Sequence, residues 1–283
     1  MVIREALKNA VSKLKENGVE NAVFEAHIIL RHFLKLEPID LILKKDNQIG
    51  NEQWEGIKNA VERRINHEPL QYILGVQEFM GLEFVVNKDV LVPRADTETL
   101  AEYVINRYMN RGFRALDIGT GSGCIAISVA HYNKNAFVRG IDISCNAIET
   151  AKINAKKNNV DDRVDFCVDD IFKTNIYGQY DLIMSNPPYI ETDVIKSLDP
   201  DVRDYEPLNA LDGGTDGMDY YRHIIKIAPA MLLKNGMLVF ETGYNQAHMV
   251  AQLMKKDFSD IEIIKDLCGN DRVVAGCVKP FNG

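Results

Sequence analysis

Along the first 75 residues, apolar positions recur every three or four: Leu7, Val11 and Leu14 near the start, then Trp54, Ile57, Val61 and Ile65. That spacing lays one apolar stripe along a 3.6-residue helix. The Val23–Leu34 segment is mostly apolar, and Pro38 and the Asn47–Gly50 stretch punctuate the pattern. A small helical bundle over residues 1–75 is predicted. From Gly75 the pattern changes. Phe79 to Val86 is apolar and β-prone around Gly81, which predicts a short hairpin linking two lobes over residues 76–92.

Beyond about residue 93, strand-like and helical runs alternate. Strands are expected at Arg114–Ile118, Ala136–Asp142, Arg163–Val168, Tyr180–Ser185 and Gly236–Glu241, with helices near 97–111, 123–132, 145–158, 217–233 and 244–257. Regular β–α alternation predicts an α/β fold whose parallel sheet is covered by helices on both faces. The tail departs from this rhythm. Ile261–Asp266 and Arg272–Val278 are separated by five residues, too few for a crossover helix, so these strands should be antiparallel neighbours.

Composition narrows the picture little. With 46 % hydrophobic and 26 % charged residues the chain can bury a core, which excludes general disorder. No apolar run approaches the roughly 18 residues of a membrane span, and Met1–Glu5 lacks a signal-peptide pattern. Five cysteines without a CxxC pair fit free thiols in a reducing cytosol, so a cytoplasmic location is expected. Charge is more informative. Residues 1–75 hold 11 Lys+Arg and 11 Asp+Glu, and the remaining 208 hold 22 and 30, so the net charge of −8 belongs to the larger lobe. A lobe that grips a nucleic-acid backbone should be basic. The six histidines form no HxH or HExxH pattern, so no metal site is expected, and Lys44-Lys45 and Arg63-Arg64 read as solvated faces.

The first expected strand runs into Asp117-Ile118-Gly119-Thr120-Gly121-Ser122-Gly123. Glycines at a strand-to-helix turn let backbone N–H groups approach a ligand, at the usual crevice of a parallel sheet. A dinucleotide fingerprint would need Gly or Ala at 124, where this chain has Cys124. Asp142 ends the second strand at roughly the 20-residue distance where a carboxylate can accept ribose hydroxyls. This combination resembles the class I S-adenosylmethionine-dependent methyltransferases. The resemblance implies that the loop 119–123 lies under the methionine and ribose, that Asp142 binds the ribose, and that Asp170 and Ile171 fall near the adenine. An antiparallel strand pair at the end also suits that fold.

After the fourth strand comes Ser185-Asn186-Pro187-Pro188-Tyr189-Ile190. A planar amide or exocyclic amine is a poor nucleophile because its nitrogen lone pair is delocalised. Acceptors on both of its N–H groups fix its direction and raise electron density on nitrogen. The Asn186 side-chain oxygen can be one acceptor and a carbonyl of the stiff Pro187-Pro188 segment the other, while Tyr189 offers an aromatic face. The tetrapeptide resembles that of methyltransferases acting on adenine in nucleic acid or on glutamine amides in protein.

The flanks choose between these. His67–Gly75, Phe79 with Gly81-Leu82, Val90–Arg94 with Thr97-Glu98, Ala115–Gly123, Ser185–Ile190, Val202–Leu211, Gly214–Tyr221 and Phe240–Gln246 look like the release-factor glutamine methyltransferases, the HemK/PrmC family. The resemblance spans essentially the whole chain. It implies a doubly wound, mostly parallel class I sheet with an antiparallel last strand, in a methyltransferase domain over 93–283. That domain is preceded by the hairpin and by a substrate-recognition domain over 1–75. It also implies methylation of the Gln side-chain amide in the Gly-Gly-Gln loop of peptide chain release factors, using S-adenosylmethionine and leaving S-adenosylhomocysteine. Asn186, Pro187, Pro188 and Tyr189 would be catalytic. Asp117, Gly119, Thr120, Gly121, Ser122, Gly123, Asp142, Asp170, Ile171 and Asn186 would bind the cofactor. Two positions depart from the family pattern: Ala95 follows Pro93-Arg94 where Pro is usual, and Ile171-Phe172 stands where an aromatic is frequent. A monomer is expected, with no direct nucleic-acid partner. The alternatives are a methyltransferase of a ribosomal-protein glutamine, an adenine methyltransferase, or a non-catalytic cofactor- or RNA-binding module. The last would be expected to lose Asn186 or Asp142.

Overall fold

The structure, a computed structural model, describes residues 1–173 and 179–280. In chain order it contains α1 (Ile3–Glu16), α2 (Ala22–Leu34), α3 (Asp40–Leu43), α4 (Asn51–Ile65), α5 (Leu70–Leu74), β1 (Val76–Phe79), β2 (Leu82–Val85) and α6 (Ala95–Arg107). It continues with β3 (Phe113–Ile118), α7 (Cys124–Tyr132), β4 (Ala136–Asp142), α8 (Cys145–Lys157), β5 (Val164–Val168) and β6 (Tyr180–Ser185). The last elements are α9 (Pro200–Arg203), α10 (Asp219–Met231), β7 (Leu232–Glu241), α11 (Ala247–Met254), β8 (Phe258–Lys265) and β9 (Asp271–Val278). Two compact units result: Met1–Gly75 together with Asp199–Tyr205, and Val76–Leu198 together with the chain from Glu206 onward.

The first unit buries Leu14, Ile29, Leu30 and Ile57 completely. Its helical stripes are those read from the spacing: Leu14, Ile57 and Val61 are buried, and Leu7, Val11, Trp54 and Ile65 pack around them. Asp199–Tyr205, which the linear reading left within 93–283, groups with these helices instead. Its Tyr205 hydroxyl donates to the Asn66 carbonyl at 2.7 Å, and Arg64, paired with Glu25 at 2.7 Å, also reaches Asp201 at 3.7 Å. The Tyr205–Asn66 and Arg64–Asp201 pairings join residues more than 130 positions apart and leave no local periodicity.

In the second unit the β1–β2 hairpin is more than a tether. Phe79 and Phe84 are fully buried, meet edge to face at 6.0 Å and belong to the sheet's core. Burial of each is worth about 1.5–3 kcal/mol. Asn154 on α8 clamps the hairpin's end, accepting from Val85 N at 2.7 Å and donating to Val85 O at 3.0 Å.

The seven-stranded sheet has the order β5-β4-β3-β6-β7-β9-β8, with only β9 running against the others. Alternate side chains feed the two faces. Leu182, Met184, Met237 and Val239 join the core under α6, α7 and α8, and Ile183, Leu238 and Phe240 join that under α10 and α11. β7 begins at Leu232 rather than Gly236, because Leu232 pairs with Tyr180 ahead of a register shift. The chain winds outward from β3 to β5, then returns to β6 on the other side of β3. Ligands of open parallel sheets bind outside the carboxyl ends of the strands at such a switch point.

Candidate active site

Register lines up the site. Ile118 on β3 pairs with Ser185 on β6 and with Ile141 on β4, Asp142 pairs with Val168 on β5, and Ser185 pairs with Phe240 on β7. The next residues therefore leave the sheet side by side: Asp169 after β5, Gly119 after β3, Asn186 after β6. The Ser185 hydroxyl donates to the Ile118 carbonyl at 2.7 Å, which ties the two central exits together.

A cavity of about 200 Å³ opens at this edge. Gly119, Gly121, Asp142, Asp170, Ile171, Asn186, Pro187 and Pro188 all line it. Its walls also include Phe172, which the sequence placed with Ile171 at the adenine position, and Ile143, Asp169 and Tyr220, which sequence reasoning did not single out as ligand contacts. Ile171 and Phe172 are both wall residues. Ile171 is buried, and Phe172 is half-exposed and packs against Tyr220 and His223 with ring centroids 5.0 and 4.5 Å apart. Asp170 is held below the usual carboxylate range by its Lys173 partner, with help from the Phe172 amide.

Asp117, Thr120, Ser122 and Gly123 lie behind the cavity lining. Asp117 is fully buried and accepts from the Thr120 hydroxyl at 2.6 Å. Its second oxygen has no hydrogen bond of standard geometry among the described residues, although the Ala126 amide helps to hold the charge. Burial pushes its carboxyl up to about 7. Ser122 contributes its carbonyl, which accepts from Asn154 at 2.9 Å. A Cβ on Gly123 would stand 2.9 Å from both Ile127 and Phe166, so this glycine serves packing of loop against core. Gly121, at φ +54°, has nothing within 4 Å of where a Cβ would be and faces open space.

Asp142 closes the loop. One carboxylate oxygen accepts from Gly121 N at 3.0 Å, the other from Ser144 N at 2.9 Å. Burial raises its carboxyl above the ordinary range, and these amides oppose the shift. A carboxylate has about four lone-pair sites, so Asp142 retains capacity for hydroxyl donors.

Asn186 donates through Nδ2 to the Thr97 hydroxyl at 3.3 Å, which leaves Oδ1 as its free acceptor face. Thr97 stands in the first turn of α6, and its hydroxyl helps to hold the charge of the Glu241 carboxyl, at the end of β7. Both are about 2 % exposed. Burial pushes the Glu241 carboxyl up to about 7, against the opposing pull of Thr97 and the Arg272 and Arg94 charges. The sequence reading quoted Thr97 and Glu241 only as members of matching segments. A carboxylate ending a buried strand was the available signal for Glu241.

Tyr189 does not line the cavity. Its ring packs with the core under α10, and its carbonyl accepts from Gln246 Nε2 at 3.0 Å. Burial pushes its hydroxyl up to about 12. The tetrapeptide is stapled to residues 211–213, Ile190 N donating to Leu211 O and Gly213 N to Ile190 O, at 3.0 and 2.8 Å. A Cβ on Gly213 would stand 2.7 Å from Tyr189 Cα and 2.8 Å from the Pro188 carbonyl oxygen. Glu206 is buried and receives Arg94 Nη2 on both oxygens at 2.7 and 2.8 Å, so it acts in an ion pair.

Two family models cover the chain: the PrmC N-terminal domain matches residues 5–75 and a methyltransferase domain matches residues 109–277. A release factor glutamine methyltransferase of Geobacter sulfurreducens is 42 % identical over 275 residues, covering 97 % of this chain and 96 % of the relative. One of Thermodesulfovibrio yellowstonii is 40 % identical over 94 % of this chain and 96 % of its own. A crystal structure of a methyltransferase from Pyrococcus furiosus superposes with a TM-score of 0.54 at 20 % identity, over 79 % of this chain and all of that one, a likeness of fold. At about 40 % identity with near-complete coverage on both sides, the chain belongs to the release factor glutamine methyltransferase family.

Proposed function

We propose that this enzyme methylates the side-chain amide nitrogen of the glutamine in the Gly-Gly-Gln loop of peptide chain release factors, with S-adenosylmethionine as methyl donor. The observation that carries this reading is the orientation of Asn186, whose amide group is occupied by Thr97 and whose carbonyl is left for the acceptor's N–H.

The residues present fit the cofactor. Gly119 and Gly121 leave room at the loop, Asp142 keeps acceptor capacity for ribose hydroxyls, and Ile143, Ile171 and Phe172 supply apolar walls for a planar base. When bound, S-adenosylmethionine supplies an electrophilic methyl group on a sulfonium. The chain's own work is on the acceptor. Asn186 Oδ1 and a carbonyl of the Pro187-Pro188 segment accept from the two N–H bonds of the glutamine amide. That fixes the amide plane and turns its nitrogen lone pair toward the methyl group. Accepting both hydrogens also stabilises the positive charge that develops on nitrogen until one of these N–H protons is released to solvent, an effect of the oriented-dipole kind that contributes most to many enzymes. Positioning supplies much of the remainder. Tyr189 stiffens the segment from behind rather than stacking on the acceptor.

The helical unit over 1–75 is read as the substrate-recognition domain, its zero net charge favouring shape and apolar contact over steering. The net −8 of the remaining chain argues against a nucleic-acid clamp. Methyl transfer should be measured in parallel to purified release factor, ribosomal proteins and DNA. Incorporation into release factor, lost when its Gly-Gly-Gln glutamine is replaced, is the expected result. Incorporation only into a ribosomal protein or DNA would overturn the reading.

A further inference from the structure

We propose that Thr97 and Glu241 are positioning residues that decide which way round the Asn186 side-chain amide stands, holding its carbonyl oxygen toward the cavity. The inference rests on the function proposed above and adds the groups that make the tetrapeptide competent for it.

An asparagine amide can turn by about 180° at little steric cost, exchanging an acceptor for a donor. With NH2 turned to the cavity, Asn186 would confront the N–H of a glutamine amide with another donor. Something must therefore select the productive orientation. A threonine hydroxyl alone does not, since it donates or accepts as its partner requires. Here it has two partners. The Asn186 Nδ2 lies 3.3 Å away, and the Glu241 carboxyl, whose charge the hydroxyl helps to hold, is the acceptor assigned to the hydroxyl proton. An ionised carboxylate only accepts, so the single hydroxyl proton is committed to Glu241. The hydroxyl then offers Asn186 nothing but lone pairs, and only the NH2 end of the amide can face it.

The sheet builds this chain of groups. Ser185 pairs with Phe240, so Asn186, the first residue past β6, and Glu241, the last residue of β7, come side by side. Strand alternation points both toward the face that carries α6, since Met184 and Val239, two positions earlier, belong to the core beneath that helix. Thr97, in the first turn of α6, reaches Asn186. Glu241 Oε2 has no hydrogen-bond partner among the described residues. Its environment is mixed: Arg272 and Arg94 favour its charge, while burial and Asp96 oppose it. Tyr189 and Tyr221 also face it and remain neutral, burial holding both hydroxyls above the usual tyrosine range. A buried carboxylate with no assigned proton transfer is costly to keep, and ordering the amide beside it gives it a task.

The test uses the full chain at pH 8.5, where Glu241 is ionised, with single-turnover methyl transfer to a release-factor domain. Thr97→Val removes the hydroxyl at nearly constant volume. The transfer rate at saturating substrates is expected to fall by about 10- to 100-fold, with cofactor affinity and KM for the protein substrate within about threefold of the parent. Thr97→Ser, which keeps the hydroxyl, is expected to stay within about threefold in rate. In an Asn186→Asp background there is no amide to orient, so Thr97→Val should cost less than about threefold more. A parent-like rate for Thr97→Val would overturn the inference, as would an undiminished loss in the Asn186→Asp background. Should Thr97→Val fail to fold, Thr97→Cys, whose thiol is a weak donor, must show the same rate loss without a KM change. A parent chain inactive on the release-factor domain would overturn the underlying function instead.

Discussion

One carboxylate oxygen of Asp142 accepts the Gly121 N–H at 3.0 Å, so the acidic residue that ends β4 also holds the glycine turn that follows β3. The loop clamp and the proposed ligand acceptor are one side chain. Gly119 N and Thr120 N, both donating to Ile141 O at 2.9 Å, extend the same seam along the backbone. The cavity floor is thus stitched before any ligand arrives, which lowers the ordering cost of binding.

Asp142→Ala removes both functions. Hydrogen bonds to charged groups contribute about 1.5–3 kcal/mol each, so affinity for S-adenosylmethionine should fall roughly tenfold or more. Asp142→Asn retains one acceptor oxygen and should fall less. Titration calorimetry on the folded variants decides this, and an unchanged affinity would remove Asp142 from the cofactor site.

Asn186→Ala should separate binding from chemistry. The glycine loop and Asp142 remain, so most cofactor affinity persists, while single-turnover transfer drops by about 10²–10³. Asn186→Asp keeps an acceptor but places a charge near a sulfonium in ground and transition states alike, and interactions equal in both do not raise kcat. It should be impaired yet measurable. A near-parent rate for Asn186→Ala would exclude the orientation mechanism.

Gly213→Ala drives a methyl group against Tyr189 Cα and the Pro188 carbonyl, 2.7 and 2.8 Å from the new Cβ. Neither is a flexible side chain, so the tetrapeptide itself must shift. The rate should fall by tenfold or more, with a destabilisation of about 1–3 kcal/mol. Methyl-transfer rates and thermal melts of the variant test both parts. Gly121→Ala is a useful contrast: its Cβ meets open space, and its cost is that of a left-handed backbone.

Asp117→Asn should alter the pH dependence of stability. Burial raises the folded-state carboxyl from its ordinary value near 3.8 to about 7. Between those values the native state binds more protons than the unfolded chain, so Asp117 stabilises at low pH and that contribution is lost as pH rises toward 7. Asparagine keeps an acceptor for the Thr120 hydroxyl without the buried charge. The Tm difference, variant minus parent, should therefore grow from pH 5 to pH 8. A difference independent of pH would show that Asp117 is not the group titrating.

The linear sequence determined much of this. Apolar spacing located the stripes of α1 and α4, and the β4 and β6 ranges, Ala136–Asp142 and Tyr180–Ser185, match the structure residue for residue. These are local properties: periodicity reflects the face a segment buries, and glycine or proline marks where its backbone must turn. The glycine loop, Asp142 and the Asn-Pro-Pro-Tyr segment were legible because each is a contiguous pattern at a strand end. What tertiary structure decided depends on sheet order and register, which no local pattern encodes. It put Asp117, Thr120, Ser122 and Gly123 behind the lining, turned Tyr189 into the core, drew the hairpin's Phe79 and Phe84 into the sheet's packing, and assigned Asp199–Tyr205 to the helical unit. It also brought Thr97 to Asn186 across 89 residues, with Glu241 beside them, because β7 docks on β6 and α6 covers that face. A cluster of polar groups built from three separate elements has no spacing to read, and only the register of the strands beneath it brings its members together.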